Sequence, residues 1–300
     1  MIFLLLLFSF SLFANTIDIY SEKTVYKDKV ILFSEGFSLK EDEKTITAKN
    51  GHLKYPLLTL EDEVNCHIDT RTLSSDQGFF NLKTEIAEFT SNSFVTIKDN
   101  DLLLSCKKAI VTKEKNLELV DQAKIDFSNA TISSDHISVF SLDNGILIRG
   151  IFEGEYSNSA ISFFYNGDMI YDKENKVLQT KDNPFFVSDQ TYALQAAKAE
   201  FFLGDKGLEK INLSETVQIV SEKVKALCDS ALVFPKEKRY LLKGKSNNPV
   251  LLWQEGALLS CKEVSITQDH DNSPEIETKG VVHLSVSDQE KKRFKQLLEK

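Results

Sequence analysis

A short pattern recurs along this chain: an apolar residue, a spacer, a small residue, in most copies a polar one, then alternating apolar residues. It reads Ile46-Thr47-Ala48-Lys49, Val64-Asn65-Cys66-His67, Leu104-Ser105-Cys106-Lys107 and Ile132-Ser133-Ser134-Asp135. It returns as Leu194-Gln195-Ala196-Ala197, Ala226-Leu227-Cys228-Asp229 and Leu259-Ser260-Cys261-Lys262. A unit repeated this often predicts a stacked β array and argues against a compact enzyme domain. Function is then expected along the surface or groove that the array makes.

The alternation within each copy is of strand type. Ala123, Ile125 and Phe127 alternate with Lys124 and Asp126, and Val282, Leu284 and Val286 with His283 and Ser285. Side chains on a strand flip faces at every residue, so such runs read as half-buried strands. The Ala-rich stretch Tyr192–Phe202 invites a helix, but its partner in the first half carries Thr47, Asn50 and Gly51, so a strand is expected there too. Two stretches align over most of their length. Ile46–Leu53 matches Leu194–Phe201, Leu103–Thr112 matches Leu258–Thr267, and Val64-Asn65-Cys66 falls opposite Ala226-Leu227-Cys228. Two copies of one β module are expected, 15–150 and 151–287, with the join around Ile146–Gly167. From Asp288 to Lys300, Phe294, Leu297 and Leu298 stand at helical spacing and predict a short C-terminal helix.

The first residues, Met1–Ala14, form an apolar run too short to span a bilayer. They fit the core of a secretory signal with Ala14 as the last residue before cleavage; a retained N-terminal anchor is the alternative. Net charge is −9 and the basic residues are scattered. A nucleic-acid partner would leave a basic stripe, so none is expected. Phe is frequent, 21 residues against one Trp, which suits a wide apolar interior.

These residues resemble a known family. Ala226–Phe234, a turn at Pro235–Lys238, then Tyr240–Gly244, Pro249–Leu252 and Gly256–Lys262 are similar to the OstA-like (LptA-type) repeat of lipopolysaccharide-transport proteins. Cys228-Asp229 and Ser134-Asp135 stand at that repeat's Ala-Asp position, whereas Cys261-Lys262 and Cys106-Lys107 depart from it at the Asp. The resemblance covers most of 170–267 and, more weakly, 30–145. It implies an elongated, twisted β-jellyroll open along one side. It also implies a non-enzymatic periplasmic role, free or at the inner or outer membrane, shielding the acyl chains of lipopolysaccharide or lipooligosaccharide. The groove-facing candidates are Phe185, Val187, Leu194, Phe201, Val217, Ile219 and Val250, with ordinary closed core as the competing reading. Edge strands at Thr16–Tyr20 and Val281–Val286 are expected to dock neighbouring transport proteins or a second copy.

Four Cys in an exported chain invite disulfides. Cys66 with Cys106 and Cys228 with Cys261 would be symmetric between the copies; buried free thiols at the small position of the pattern are the alternative. No zinc spacing occurs, and no cofactor is expected. Cys66-His67-Ile68-Asp69 and Asp269-His270-Asp271 read as solvated strand ends and loops, and Glu41-Asp42-Glu43 and Glu61-Asp62-Glu63 as solvated turns. No nucleophile elbow, phosphate loop or dinucleotide fingerprint appears, so catalysis is not expected. The rival from another class is a structural or protein-binding β-solenoid of the envelope with a closed core.

Overall fold

The computed structural model describes residues 18–286 except 42–43, 69–70, 100–101, 115, 128–129, 143, 157–160, 189–191, 205–206, 246, 255–256 and 269–273. The expected signal segment, the C-terminal helix and the loop holding His270 lie outside the described residues. The chain is all-β, as its alternation predicts. The first strands are β1 (Asp18–Lys27), β2 (Val30–Glu41), β3 (Lys44–Ala48), β4 (Asn50–Lys54), β5 (Leu57–Ile68), β6 (Arg71–Asn81), β7 (Ile86–Asp99) and β8 (Leu102–Val111). They are followed by β9 (Leu117–Phe127), β10 (Ala130–Leu142), β11 (Gly145–Tyr156), β12 (Ser162–Asp172), β13 (Val177–Lys181), β14 (Phe185–Ser188), β15 (Ala193–Ala196) and β16 (Lys198–Gly204). The last are β17 (Gly207–Val220), β18 (Val224–Phe234), β19 (Arg239–Lys243), β20 (Val250–Gln254), β21 (Ala257–Cys261), β22 (Glu263–Gln268), β23 (Pro274–Lys279) and β24 (His283–Val286). The stretch that tempted a helix is β15 and β16.

The chain forms two compact units. One holds residues up to Ile151 together with Tyr171–Glu174; the other holds Phe152–Ile170 and everything from Asn175. Within each unit the long strands bend at one place, and the bend is a register shift. Where β1 meets β2, β5 meets β6, β9 meets β10 and β17 meets β18, one strand skips a single residue and its neighbour two, whereas β7 skips four residues opposite Lys107 of β8. Asp62 and Glu63 of β5 lie between the pairs Glu61↔Gln77 and Val64↔Ser75, where β6 skips only Asp76. Glu215 and Thr216 of β17 lie between Ser214↔Ser230 and Val217↔Cys228, where β18 skips only Asp229. Two residues against one is the count of a β-bulge, which sharpens strand twist and bend. The two-residue side is left-handed each time: Glu35 and Gly36, Asp62 and Glu63, Asp121 and Gln122, Glu215 and Thr216 all have positive φ.

The one-residue side carries the recurring sequence pattern. Ala48-Lys49, Cys106-Lys107, Ser134-Asp135, Ala196-Ala197, Cys228-Asp229 and Cys261-Lys262 all sit at bends, the second residue being skipped or lying between two strands. Where strands break there, the backbone closes the corner: Lys49 N–H donates to Asp62 O (2.9 Å), Ala197 N–H to Glu215 O (3.2 Å), and Gly244 N–H to Lys262 O (3.0 Å).

Corners stacked strand after strand divide each unit into two layers. In the second unit, β12, β14, β15, β20, β21 and β24 form one layer with the halves of β17 and β18 nearest residues 217–228, β15 pairing with β17 and β20 with β18. Strands β13, β16, β19, β22 and β23 form the other layer with the remaining halves. The layers face each other, because rings meet across the corner. Phe185 of β14 lies 5.1 Å from Phe201 of β16, and Tyr192 lies 4.7 Å from Tyr240. The first unit repeats the plan, with β3 and β4 on opposite sides of the corner at Lys49. There a buried ion cluster closes one place: Asp99, 7% exposed, accepts from Lys173 Nζ at 3.3 Å and faces Arg71 Nε at 3.5 Å. With the Phe127–Tyr171 ring contact at 4.9 Å, this holds Tyr171–Glu174 to the first unit.

Thr216 is the costliest corner residue, since a β-branched side chain at φ 63° is strained. Thr216→Gly is expected to raise stability by about 1 kcal/mol, read as a higher urea midpoint at unchanged slope. A lower midpoint would show that the left-handed corner is not held there.

Candidate functional site

Directly paired residues on adjacent strands share a face, so the register traces the interior. In the second unit one inward row runs Phe163, Val187, Leu194, Ile219, Ala226, Leu252, Leu259 and Leu284. In the first it runs Ile19, Leu39, Ile46, Cys66, Leu73, Ile97, Leu104, Ile125 and Ile132. Neither row contains a charge.

All seven groove candidates point into this interior. Val187, Leu194 and Ile219 lie in the row itself, Phe185 one step nearer the corner, Val217 and Val250 opposite Cys228 and Cys261, and Phe201 on the facing layer. Each is 2% exposed or less. Phe163, Phe185 and Phe201 pack as a cluster with centroids 5.1 to 5.4 Å apart. Tyr165 extends it; its hydroxyl donates to the nearer Lys181 carbonyl at 2.7 Å and accepts from Lys181 N–H at 3.0 Å, which lets a phenol sit there. At these positions the interior is packed shut, not an open trough.

The same inward faces are uncovered at the terminal strands. On β1, Ile19 is 47% and Tyr26 71% exposed, although they pair with Leu39 and Ile31. On β24, Leu284 is 57% exposed opposite Leu259. The expected end strands are present as β1, which starts its described part at Asp18, and β24, which begins at His283 instead of Val281.

The four cysteines are free, buried thiols. The two symmetric pairings are ruled out by strand order. β20 lies between β18 and β21, which puts Cys228 and Cys261 two strand spacings, about 10 Å, apart. β6 and β7 lie between β5 and β8, which puts Cys66 and Cys106 about 14 Å apart. A disulfide tolerates Cα separations only to about 7 Å. The corner thiols have another task. Cys228 Sγ donates to Ser230 O at 3.3 Å and Cys261 Sγ to Glu263 O at 3.5 Å. Ser75 and Ser134 hydroxyls donate in the same way to Gln77 O and His136 O, both at 3.0 Å. Ser and Cys therefore exchange in the pattern because a small donor closes the bulge.

Cys66 does not belong to that set. It lies beyond the Asp62–Glu63 corner, opposite Ile46 and Leu73, and its counterpart in the second unit is Ile219. The corner that matches Ala226-Leu227-Cys228-Asp229 is Leu73-Ser74-Ser75-Asp76. Both acids do the same job. Asp76 accepts from Asn92 N–H (2.7 Å) and Ser91 Oγ (3.0 Å), and Asp229 from Lys245 N–H (2.9 Å) and Asn248 Nδ2 (2.8 Å). The signal for Leu73–Asp76 was in the sequence, since it has the apolar, spacer, small, acidic order.

Several polar side chains are committed to the scaffold. Ser138 Oγ donates to Glu118 Oε2 at 2.6 Å and His136 Nε2 meets the same oxygen at 2.8 Å, so the serine has a carboxylate partner and not an imidazole base. A cleft of about 480 Å³ outside the first unit's corners is lined by Lys49, Asp62, Glu63, Asp76, Gln77, Thr90, Ser91 and Asn92. Lys49 is tied to Glu63 at 2.7 Å, which raises its pKa. Among the described residues no cluster of His, Cys, Asp and Glu could hold a metal ion. Comparison with protein-family models and with curated proteins returns no match.

Burial pushes the thiols up, Cys66 and Cys228 to about 12 and Cys106 to about 11. A thiol-specific reagent at pH 8 is expected to label the folded chain slowly and four thiols per chain in urea without reductant. Fewer than four would mean a disulfide. The raised values also set a pH effect. Stability from these groups is complete below the ordinary thiol value of 9.0 and is lost as pH rises towards 12, because the unfolded chain ionises first. Cys66→Ala should flatten that alkaline decline in urea titrations.

Proposed function

We propose that this chain is a non-enzymatic periplasmic carrier that shields the acyl chains of lipopolysaccharide or lipooligosaccharide on their way to the outer membrane. The observation that carries the reading is the pair of uncharged inward rows, uncovered at Ile19 and at Leu284. Such a row offers hydrocarbon contact at every strand, while sugars and phosphates stay in water. A buried methylene is worth about 0.8 kcal/mol, so an acyl chain of about a dozen carbons gains roughly 10 kcal/mol on leaving water. Its entry parts the two layers and exchanges ring-on-ring contact for ring-on-acyl contact, and the rings stay out of water throughout.

The terminal strands extend the proposal to partners. β1 pairs along one side with β2 and exposes Ile19, Tyr20, Val25 and Tyr26; β24 pairs along one side with β21 and exposes Leu284. An edge of this kind accepts a further strand, from a neighbouring transport protein or a second copy. An apolar inward face on the added strand would continue the row.

A second reading, a protein-binding β-solenoid with a permanently closed core, is favoured by the near-complete burial of Phe185, Phe201, Val217 and Val250. Photo-crosslinking separates the two. A benzophenone side chain at Phe185, Val217 or Leu284 is expected to capture lipopolysaccharide, and one at the outward Lys225 is not. Absence of capture at all three inward positions, in protein with a native circular dichroism spectrum, would leave the solenoid reading.

A further inference from the structure

The basic residues lie far apart in the sequence, but antiparallel pairing gathers five lysines on one border of the first unit. Strands β1, β2, β4, β5, β6, β7, β8 and β9 follow one another in the layer that holds β4. The border of that layer away from the corners is made by the turns joining β1 to β2, β4 to β5, β6 to β7 and β8 to β9. These turns carry Lys27 and Lys29, Lys54, Lys83 and Lys113, all exposed. Successive turns are two strand spacings apart, about 10 Å, so the lysines line roughly 29 Å. Other groups close the turns. Asp28 and Lys29 are left-handed, as a two-residue hairpin loop needs. Asn81 Oδ1 accepts from Lys83 N–H and Thr84 N–H, both at 3.1 Å, and Leu82 N–H donates to Pro56 O at 2.9 Å. The lysine ammonium groups take no part in that closure.

Three acids share the border, Asp28, Glu85 and Glu114, and Glu85 pairs with Lys113 at 3.7 Å. At the corners of the same unit the balance is reversed: Glu35, Asp62, Glu63, Asp76, Asp121 and Asp135 outnumber Lys49 and Lys107. In a chain of net charge −9, positive charge is thus sorted to the turn border. The same turns expose apolar groups. Tyr55 is 77%, Tyr26 71%, Leu57 51% and Ile86 41% exposed. Lys54 pairs with Leu57, and Leu57 and Ile86 flank Asn81 on the outward row. Lysine beside tyrosine and leucine suits a bilayer interface, where rings sit at headgroup depth and ammonium groups reach the phosphates. Leu57 and Ile86 between the lysines favour a lipid surface over a dissolved polyanion, which would leave them in water. We propose that this border rests on the surface of an anionic bilayer, with Tyr55 and Leu57 among the headgroups and Lys27, Lys29, Lys54 and Lys83 on the phosphates. This does not rest on the carrier reading, because a closed solenoid would present the same border.

The test sediments the full chain with phosphatidylcholine vesicles containing about one third phosphatidylglycerol, and with phosphatidylcholine alone. The apolar run Met1–Ala14 partitions into both, so the excess on the anionic vesicles is the readout. That excess is expected to fall as salt rises, since screening shortens to about 3 Å at 1 M. The variant Lys27→Gln, Lys54→Gln and Lys83→Gln should lower it roughly tenfold, and Tyr55→Ser roughly threefold. A variant with the same charge change elsewhere, Lys223→Gln, Lys225→Gln and Lys243→Gln, should bind as the parent. No excess in the parent would overturn the proposal. So would equal loss in the two triple variants, or no loss in the border triple and in Tyr55→Ser. Binding of a single-stranded oligonucleotide without binding of the vesicles would overturn it in favour of nucleic acid.

Discussion

The two-against-one corner is the constraint on which the rest of this structure depends. A single bulge bends a single strand. Here the bulges of successive strands fall side by side, so their bends add and fold each sheet into two layers. Glu35-Gly36, Asp62-Glu63, Asp121-Gln122 and Glu215-Thr216 supply the longer path at successive corners, each pair left-handed. For residues other than glycine that conformation costs about 1–2 kcal/mol apiece. The opposing strand must then place something small on the inside of the bend. Ala48, Ser75, Cys106, Ala196, Cys228 and Cys261 occupy that point and are all buried. A larger side chain would meet the opposite layer, and a charged one would lose its water without a partner.

Once the corners are fixed, the interior follows from parity. The corner sets which residues of each strand face in, and register carries that choice from strand to strand. This is why Ile19 and Ile132 lie on the same row although most of the first unit separates them in sequence. It is also why the rows are continuous: any strand slipped by one residue would turn its apolar set outward. The apolar track is therefore a property of the whole repeat and not of a few specialised side chains. Tyr165, and Asp99 with Arg71 and Lys173, are polar groups brought inside with partners, whereas Ser141 Oγ and Arg239 Nε are buried without a hydrogen-bond partner.

The sequence made the β class and the inward direction of seven named side chains legible, because both rest on local alternation. It misled where a motif was read without its neighbour across the sheet. Val64-Asn65-Cys66-His67 has the right order of residue types but lies beyond a corner, and Leu73-Ser74-Ser75-Asp76 is the true member. The distinguishing feature is Asp62-Glu63, which reads as part of a solvated acidic turn, much like Glu41-Asp42-Glu43. Acidic residues in a left-handed bulge and in an open turn look alike in one dimension. The cysteine pairings failed for a similar reason. Symmetry between copies suggested partners, whereas the number of strands between them decides. Packing at Phe185 and Phe201 was beyond reach, since it depends on rings brought from opposite layers.

Comparing the copies position by position separates what the fold needs from what one unit alone carries. Inward, Phe37 matches Phe185, Ile46 matches Leu194, Val64 matches Val217, Val95 matches Val250 and Cys106 matches Cys261. Outward, Ser74 becomes Leu227, Thr96 becomes Leu251 and Lys98 becomes Trp253. The inward likeness is what packing against a facing layer requires of any copy, so by itself it favours no ligand. The outward difference has no such source, because an outer strand face accommodates Ser, Thr and Lys at these positions, as in the first unit. The difference is one of degree, because the first unit exposes Phe79 and Leu103 on its outward faces and the second unit's outward rows include Gln218, Lys225 and Ser260.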